Sequence, residues 1–93
     1  MKIGYSKDFD KKVDKLNDKL AKKRLDLLID KLKKAKDLSE IPNVISLKGM
    51  HGLFRITIGD YRLIVKQIKN EIVIILLVDY RRRNEKTYKG LLF

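Results

Sequence analysis

A chain of 93 residues, 44% of them hydrophobic, has room for one small domain, 1–93, and no second. Without cysteine and with a single histidine it can build neither a disulfide frame nor a thiolate metal site; no metal or other cofactor is expected, and the cytoplasm is the expected compartment. Twenty-three Lys and Arg against twelve Asp and Glu give a net charge of +11, which points to a polyanionic partner, and no apolar run is long enough to span a membrane.

The opening stretch MKIGYSKDFDKK reaches charge too soon for a secretory signal. Within it, KIGY (2–5) reads as a short strand. Ser6 is a candidate N-cap, and Asp8 and Asp10 fall in the first helical turn, where the helix dipole favours them. Phe9, Val13, Leu16 and Leu20 then recur at helical spacing, and Leu25, Leu28, Leu32 and Ala35 continue the pattern. Asn17-Asp18 marks the expected junction between two helices, since both residues prefer caps to helix interiors. Lys7, Lys11, Lys15, Lys19 and Lys23 step by four along the exposed side. Like charges at that spacing cost an isolated helix about 0.2–0.5 kcal/mol per pair. The stripe is easier to understand with an anion lying along it.

LSEIPNVISLKGMHG (38–52) ends the helices at Pro42 and reads as turns. Three strands follow. In LFRITIG, Phe54, Ile56 and Ile58 share one face, and Arg55 and Thr57 the other. In YRLIVKQI, Tyr61, Leu63 and Val65 oppose Arg62, Ile64 and Lys66. Gly59-Asp60 and Lys69-Asn70 supply tight turns. EIVIILLVDY (71–80) is apolar on both faces, as a central strand is. The expected fold class is α+β, an antiparallel sheet in the order β-α-α-β-β-β with two helices covering one face. Arg55, Thr57, Arg62 and Lys66 are then left on the open face, and the run VDYRRRNEKTY emerges beside them.

Charge type follows the same division. Residues 1–46 hold twelve of the seventeen lysines and only Arg24, whereas the other five arginines lie in 47–93. Lysine is a diffuse point charge; arginine grips a phosphate with two parallel hydrogen bonds.

The segments IPNVISLKG and GLFRITIGDYRLIV, followed by an apolar strand ending in an arginine cluster with a tyrosine six residues after Arg82, resemble the RelE/ParE superfamily of toxins from toxin–antitoxin systems. The resemblance covers nearly the whole chain. It implies a RelE-like fold with a curved sheet and a cognate antitoxin that wraps the toxin. The RelE branch implies a ribosome-dependent endoribonuclease that cuts mRNA in the 30S A site: the 2′-hydroxyl attacks the adjacent phosphate, leaving a cyclic phosphate and a free 5′-hydroxyl without metal. Carried over, Arg62 holds the scissile phosphate, Arg82 stabilises transition-state charge, and Tyr88 stacks on the mRNA base. Arg55 and Thr57 stand where a branch of the family carries two lysines.

That departure bears on the chemistry. In-line cleavage needs a base, an acid and cations for the growing phosphorane charge. Arginine supplies the charge but stays protonated, so the proton carriers must come from Tyr88, His51, Lys48 or Lys66. Arg81, Arg82 and Arg83 can lower the Tyr88 pKa through their field. His51 is the one group that titrates near neutrality unperturbed, and it falls in a loop. Tyr61 alternates onto the core face. Tyr80, where many relatives carry histidine, either stacks on a base or caps the strand. The terminal YKGLLF is apolar enough to pack on the sheet or meet the antitoxin. The alternatives to mRNA and ribosomal RNA as targets are DNA gyrase, poisoned by the ParE branch on the same fold, and a basic module that binds the ribosome without cutting.

Overall fold

Ser6 begins the helical layer by the means expected. Its Oγ accepts the Phe9 N–H at 3.0 Å, and Asp8 and Asp10 occupy the first turn. The computed structural model describes residues 1–79: β1 (Lys2–Tyr5), α1 (Lys7–Asp14), α2 (Lys19–Lys34), a 3-10 turn (Leu38–Glu40), β2 (Val44–Ser46), β3 (Leu53–Ile58), β4 (Tyr61–Ile68) and β5 (Glu71–Asp79). Tyr80, Arg81, Arg82, Arg83, Tyr88 and the terminal YKGLLF lie outside the described residues.

The helix break falls at the expected place. Asp18 caps α2 by accepting the Ala21 N–H at 3.0 Å. The break resets the helical phase, which corrects one expectation: Leu20 is 55% exposed, while Leu16, Ala21, Leu25 and Leu32 are buried. Two residues of new phase place Leu20 on the solvent side of α2. At the other end of α2, the Met1 ammonium donates to the carbonyls of Leu32 (3.3 Å), Lys33 (2.8 Å) and Ala35 (3.0 Å). These are oxygens that a helix end leaves without intrahelical partners, and the cation also complements the dipole there.

The sheet has the order β1-β5-β4-β3-β2. Pairing is antiparallel from β2 to β5, but β1 runs parallel to β5, with Lys2 opposite Glu71 and Tyr5 opposite Ile74. The expectation of a wholly antiparallel sheet is corrected to a mixed one. A parallel pair needs a long crossover, which the intervening helices and strands supply. The 38–52 segment also contains a strand where only turns were expected. β2 has three residues, two of them exposed, so it carries no alternation to read.

A bulge explains the unbroken apolar run of β5. Ile64 pairs with Leu76 and Val65 with Ile74, which leaves Ile75 as the extra residue. Ser6 grips it: its N–H donates to the Ile74 carbonyl at 2.9 Å and its hydroxyl to the Ile75 carbonyl. The bulge turns Ile72, Ile74 and Leu77 into the main core with Phe9, Leu25, Leu32, Ile56, Leu63 and Val65. Burial of each such side chain stabilises by about 1.5–3 kcal/mol. On the opposite face, Ile64 and Val78 form a second cluster with Leu47 and Leu76.

Candidate active site on the sheet face

Strand pairing fixes the site. On the face away from the main core, one row runs Ile45, Arg55, Ile64, Leu76, and the next runs Thr57, Arg62, Val78. Residues opposite one another across a pair share a face, so Arg55 and Arg62 are diagonal neighbours, roughly 7 Å apart at their Cβ atoms. Ile64 and Val78, each with no solvent exposure, form the floor between and beside them. Ile64 falls on this face as its alternation required, and with Val78 from β5 it gives the arginines an apolar patch to flank.

Both arginines are half-buried, and the Nε atom of each is shielded from solvent. The Arg62 guanidinium turns back along the strand, its Nη1 donating to the carbonyls of Gly59 and Tyr61 at 3.0 Å each. Two cations on diagonal positions above a low-dielectric floor repel one another. An anion seated between them relieves that repulsion. Thr57, directly opposite Arg62, offers a hydroxyl and no charge.

The turn that anchors Arg62 is approached from the helix side by Arg24. Gly59 sits at φ +58, and a Cβ there would come within 2.5 Å of the Arg24 Nη1. Sequence reasoning passed over Arg24 as a site neighbour; glycine in the Gly59-Asp60 turn was its one visible signal.

The other candidates spread out. Lys66 is exposed on the same face but pairs with Leu53 and Val73, two rows from Arg62. His51 and Lys48 are exposed in the β2–β3 loop, beyond the Leu53 end of β3. Thr57 lies four residues further along that strand, about 13 Å at the extended rise. The structure therefore does not bring His51, Lys48 or Lys66 to Arg62. Tyr61 is 5% exposed in the main core, as its alternation required. Lys7, Lys11, Lys15, Lys19 and Lys23 are all exposed, but on two helices, because the chain turns between residues 15 and 18. Hydrogen bonds from the Ser39 hydroxyl and then from its N–H hold the Asp37 carboxyl low, in the cap of the 3-10 turn and away from this face. Among the described residues, no group of three or more His, Asp or Glu side chains is arranged to hold a metal. No described helix is long and apolar enough to cross a membrane.

The sequence matches, over residues 3–85, the family described as the ParE toxin of type II toxin–antitoxin systems, parDE. The chain belongs to this toxin family, within the RelE/ParE superfamily. No curated protein matches the sequence. Among solved structures, the toxin is similar to the RelB–RelE antitoxin–toxin complex of Methanococcus jannaschii, at a TM-score of 0.77 and 20% identity over 94% of this chain and 96% of that one. It is also similar to the archaeal RelE–RelB complex of Pyrococcus horikoshii OT3, at 0.69 and 26% identity over 87% and 96%. A mutant of the E. coli toxin RelE in complex with an antitoxin RelB peptide matches at 0.62 and 17% identity over 97% and 92%. The likenesses at 20% and 17% identity are likenesses of fold. The α+β arrangement of this toxin, two helices on a five-stranded mixed sheet, is thus RelE-like.

Proposed function

We propose that this toxin is a ribosome-dependent mRNA endoribonuclease, restrained by a cognate antitoxin, that cuts by attack of the RNA 2′-hydroxyl on its own phosphate. The observation that carries the reading is the diagonal pair Arg55 and Arg62, half-buried with shielded Nε atoms on the sheet face that the helices leave uncovered. Cations held in a partly dry site act on a developing phosphorane more strongly than cations in water. In the reaction, the 2′-oxygen loses its proton and bonds to phosphorus, and the 5′-oxygen leaves with a proton. The products are a 2′,3′-cyclic phosphate and a 5′-hydroxyl. Arg62 and Arg55 hold the non-bridging oxygens. Arg82 adds charge stabilisation, and Tyr88 stacks on the base and moves the proton. Arg81 and Arg83 contribute to the same cationic wall, Tyr80 stacks on a base, and the lysines of α1 and α2 contact ribosomal RNA.

A second reading, inhibition of DNA gyrase without RNA chemistry, is favoured by the description of the matching family and by Thr57, which puts no lysine opposite Arg62 on β3. One experiment separates them. Wild type and Arg62→Ala are added to a translating extract, mRNA 5′ ends are mapped, and gyrase supercoiling is assayed in parallel. Cuts within codons on ribosomes, lost by a factor of about 10²–10³ in Arg62→Ala, are the expected result. Intact mRNA with inhibited gyrase would overturn it.

A further inference from the structure

Asp79 closes β5 and is 4% exposed, the one charged side chain in the buried class among the described residues. It lies on the helix side of the sheet, paired with Tyr61. The two line a cleft of about 350 Å³ together with Lys12, Lys15, Asn17 and Asp18 from the end of α1 and the cap of α2. Asp79, Tyr61, Lys12 and Asp18 are all engaged in interactions of their own. Desolvating a carboxylate costs several kcal/mol, which its interactions must offset. Burial alone therefore gives no reason for an acid here.

Position supplies one. Tyr61, which pairs with Asp79 on the helix side, presents its carbonyl to Arg62, and Gly59 presents the other carbonyl that Arg62 grips. Arg62 in turn pairs with Val78, the residue before Asp79. Tyr61 thus has Asp79 and the lysine-lined cleft beside its side chain and the Arg62 guanidinium on its carbonyl. We propose that Asp79 is a positioning residue for Arg62. Its carboxylate, facing the same cleft as Lys12 and Lys15, fixes the ends of β4 and β5 so that the Gly59 and Tyr61 carbonyls hold the guanidinium in one orientation. The catalytic consequence rests on the reading of Arg62 as the phosphate ligand; the positioning itself does not.

The test uses the whole chain carrying Asp79→Leu, with Asp79→Asn as the isosteric variant should leucine fail to fold. Three quantities are read: the thermal midpoint, hydrogen exchange at the arginine Nε–H groups by NMR, and kcat and KM for cleavage of ribosome-bound mRNA. Because the Nε atoms of Arg62 and Arg55 are both shielded, the two signals serve as reporter and internal control. The expected result is a lower midpoint, since the partners of the buried carboxylate lose it, with Arg62 Nε–H exchange about tenfold faster or more and unchanged Arg55 exchange. kcat falls about tenfold or more with KM nearly unchanged, as displacement of a catalytic group by an ångström commonly brings. Adding Asp79→Leu to Arg62→Ala costs nothing further, since both act through one side chain. Unaltered Arg62 exchange overturns the proposal, and so does equal acceleration at Arg55, which reports a general loosening. If wild type leaves RNA intact while Arg62 exchange responds, the cleavage reading falls and the positioning role stands.

Discussion

Thr57 faces Arg62 directly across the β3–β4 pair. The neutral hydroxyl stands on the same row as the arginine and on the same strand as Arg55, two residues away. Thr57 supplies no titratable group there, so a proton moved at a phosphate held by these arginines must come from another residue. Replacing Thr57 by lysine places a titratable amine at that spot. Thr57→Lys is expected to raise the rate of ribosome-bound mRNA cleavage about tenfold and to make it more pH-dependent, since general acid–base catalysis contributes on the order of 10²–10⁴ when well placed. A like-charge cross-strand pair costs about 0.2–1 kcal/mol, visible as a slightly lower urea midpoint. An unchanged rate would mean that the proton carrier is already in place elsewhere.

Gly59 links the helix layer to the Arg62 anchor. Its φ of +58 is strained for an L side chain, and the space a Cβ needs holds the Arg24 guanidinium. Gly59→Ala is expected to destabilise by about 1–2 kcal/mol. It should also displace the carbonyl that Arg62 grips, so cleavage falls more steeply than stability. Paired urea titration and cleavage assays read both quantities on one sample. Arg24→Ala combined with Gly59→Ala should recover part of the steric cost and none of the backbone strain.

Ser6 serves two elements with one side chain. It caps α1 through Phe9 and holds the Ile75 bulge through its hydroxyl and its N–H. Ser6→Ala removes both side-chain bonds, with an expected cost near the upper end of the cap range, about 2 kcal/mol. Ser6→Gly keeps the extended backbone yet loses the bulge contact, so it should be no better. Chemical denaturation gives the values directly; a loss below about half a kcal/mol would show that the bulge holds itself.

The exposed lysines predict salt dependence. Lys7 and Lys11 sit on α1 and Lys19 and Lys23 on α2, all solvent-facing. If both pairs touch ribosomal RNA, Lys19→Gln with Lys23→Gln should lower the slope of log affinity against log salt by about 0.7–0.9 per lysine. Binding to ribosomes between low and moderate salt measures it. An unaltered slope would confine RNA contact to α1 and the sheet face.

Much of this arrangement was legible before any coordinates. Ser6 and Asp18 announce the helix starts because capping chemistry is local, and β3 and β4 alternate because one face is buried and the other is not. What stayed hidden is non-local or too short to carry a period. β2 has three residues, so its pairing with Phe54–Ile56 is written in β3 as much as in itself. The parallel union of β1 with β5 joins the two ends of the described chain and leaves no mark on either. The Ile75 bulge is invisible in a run where every neighbouring residue is apolar. Asp79 was visible as a residue, but which face it takes depends on that bulge. For the candidate site, Arg55, Thr57 and Arg62 came from alternation and were placed together. Ile64 and Val78 as a buried floor, and Arg24 at Gly59, depend on packing between layers that no single segment encodes.

The union of β1 with β5 sets the order in which the toxin can come into being. Ser6 and Ile75, joined by a hydrogen bond, are 69 residues apart in sequence. Strand β1 has no strand partner until β5 has been made, and until then the bulge that Ser6 grips does not exist. Closing so long a loop is an entropic cost met before any contact rewards it, and folds that depend on distant pairings assemble slowly. A ribosome making this protein must therefore complete β5 before the five-stranded sheet that carries Arg55 and Arg62 can close. A chain that ends before β5 leaves β1 without its strand partner and the bulge that Ser6 grips unmade.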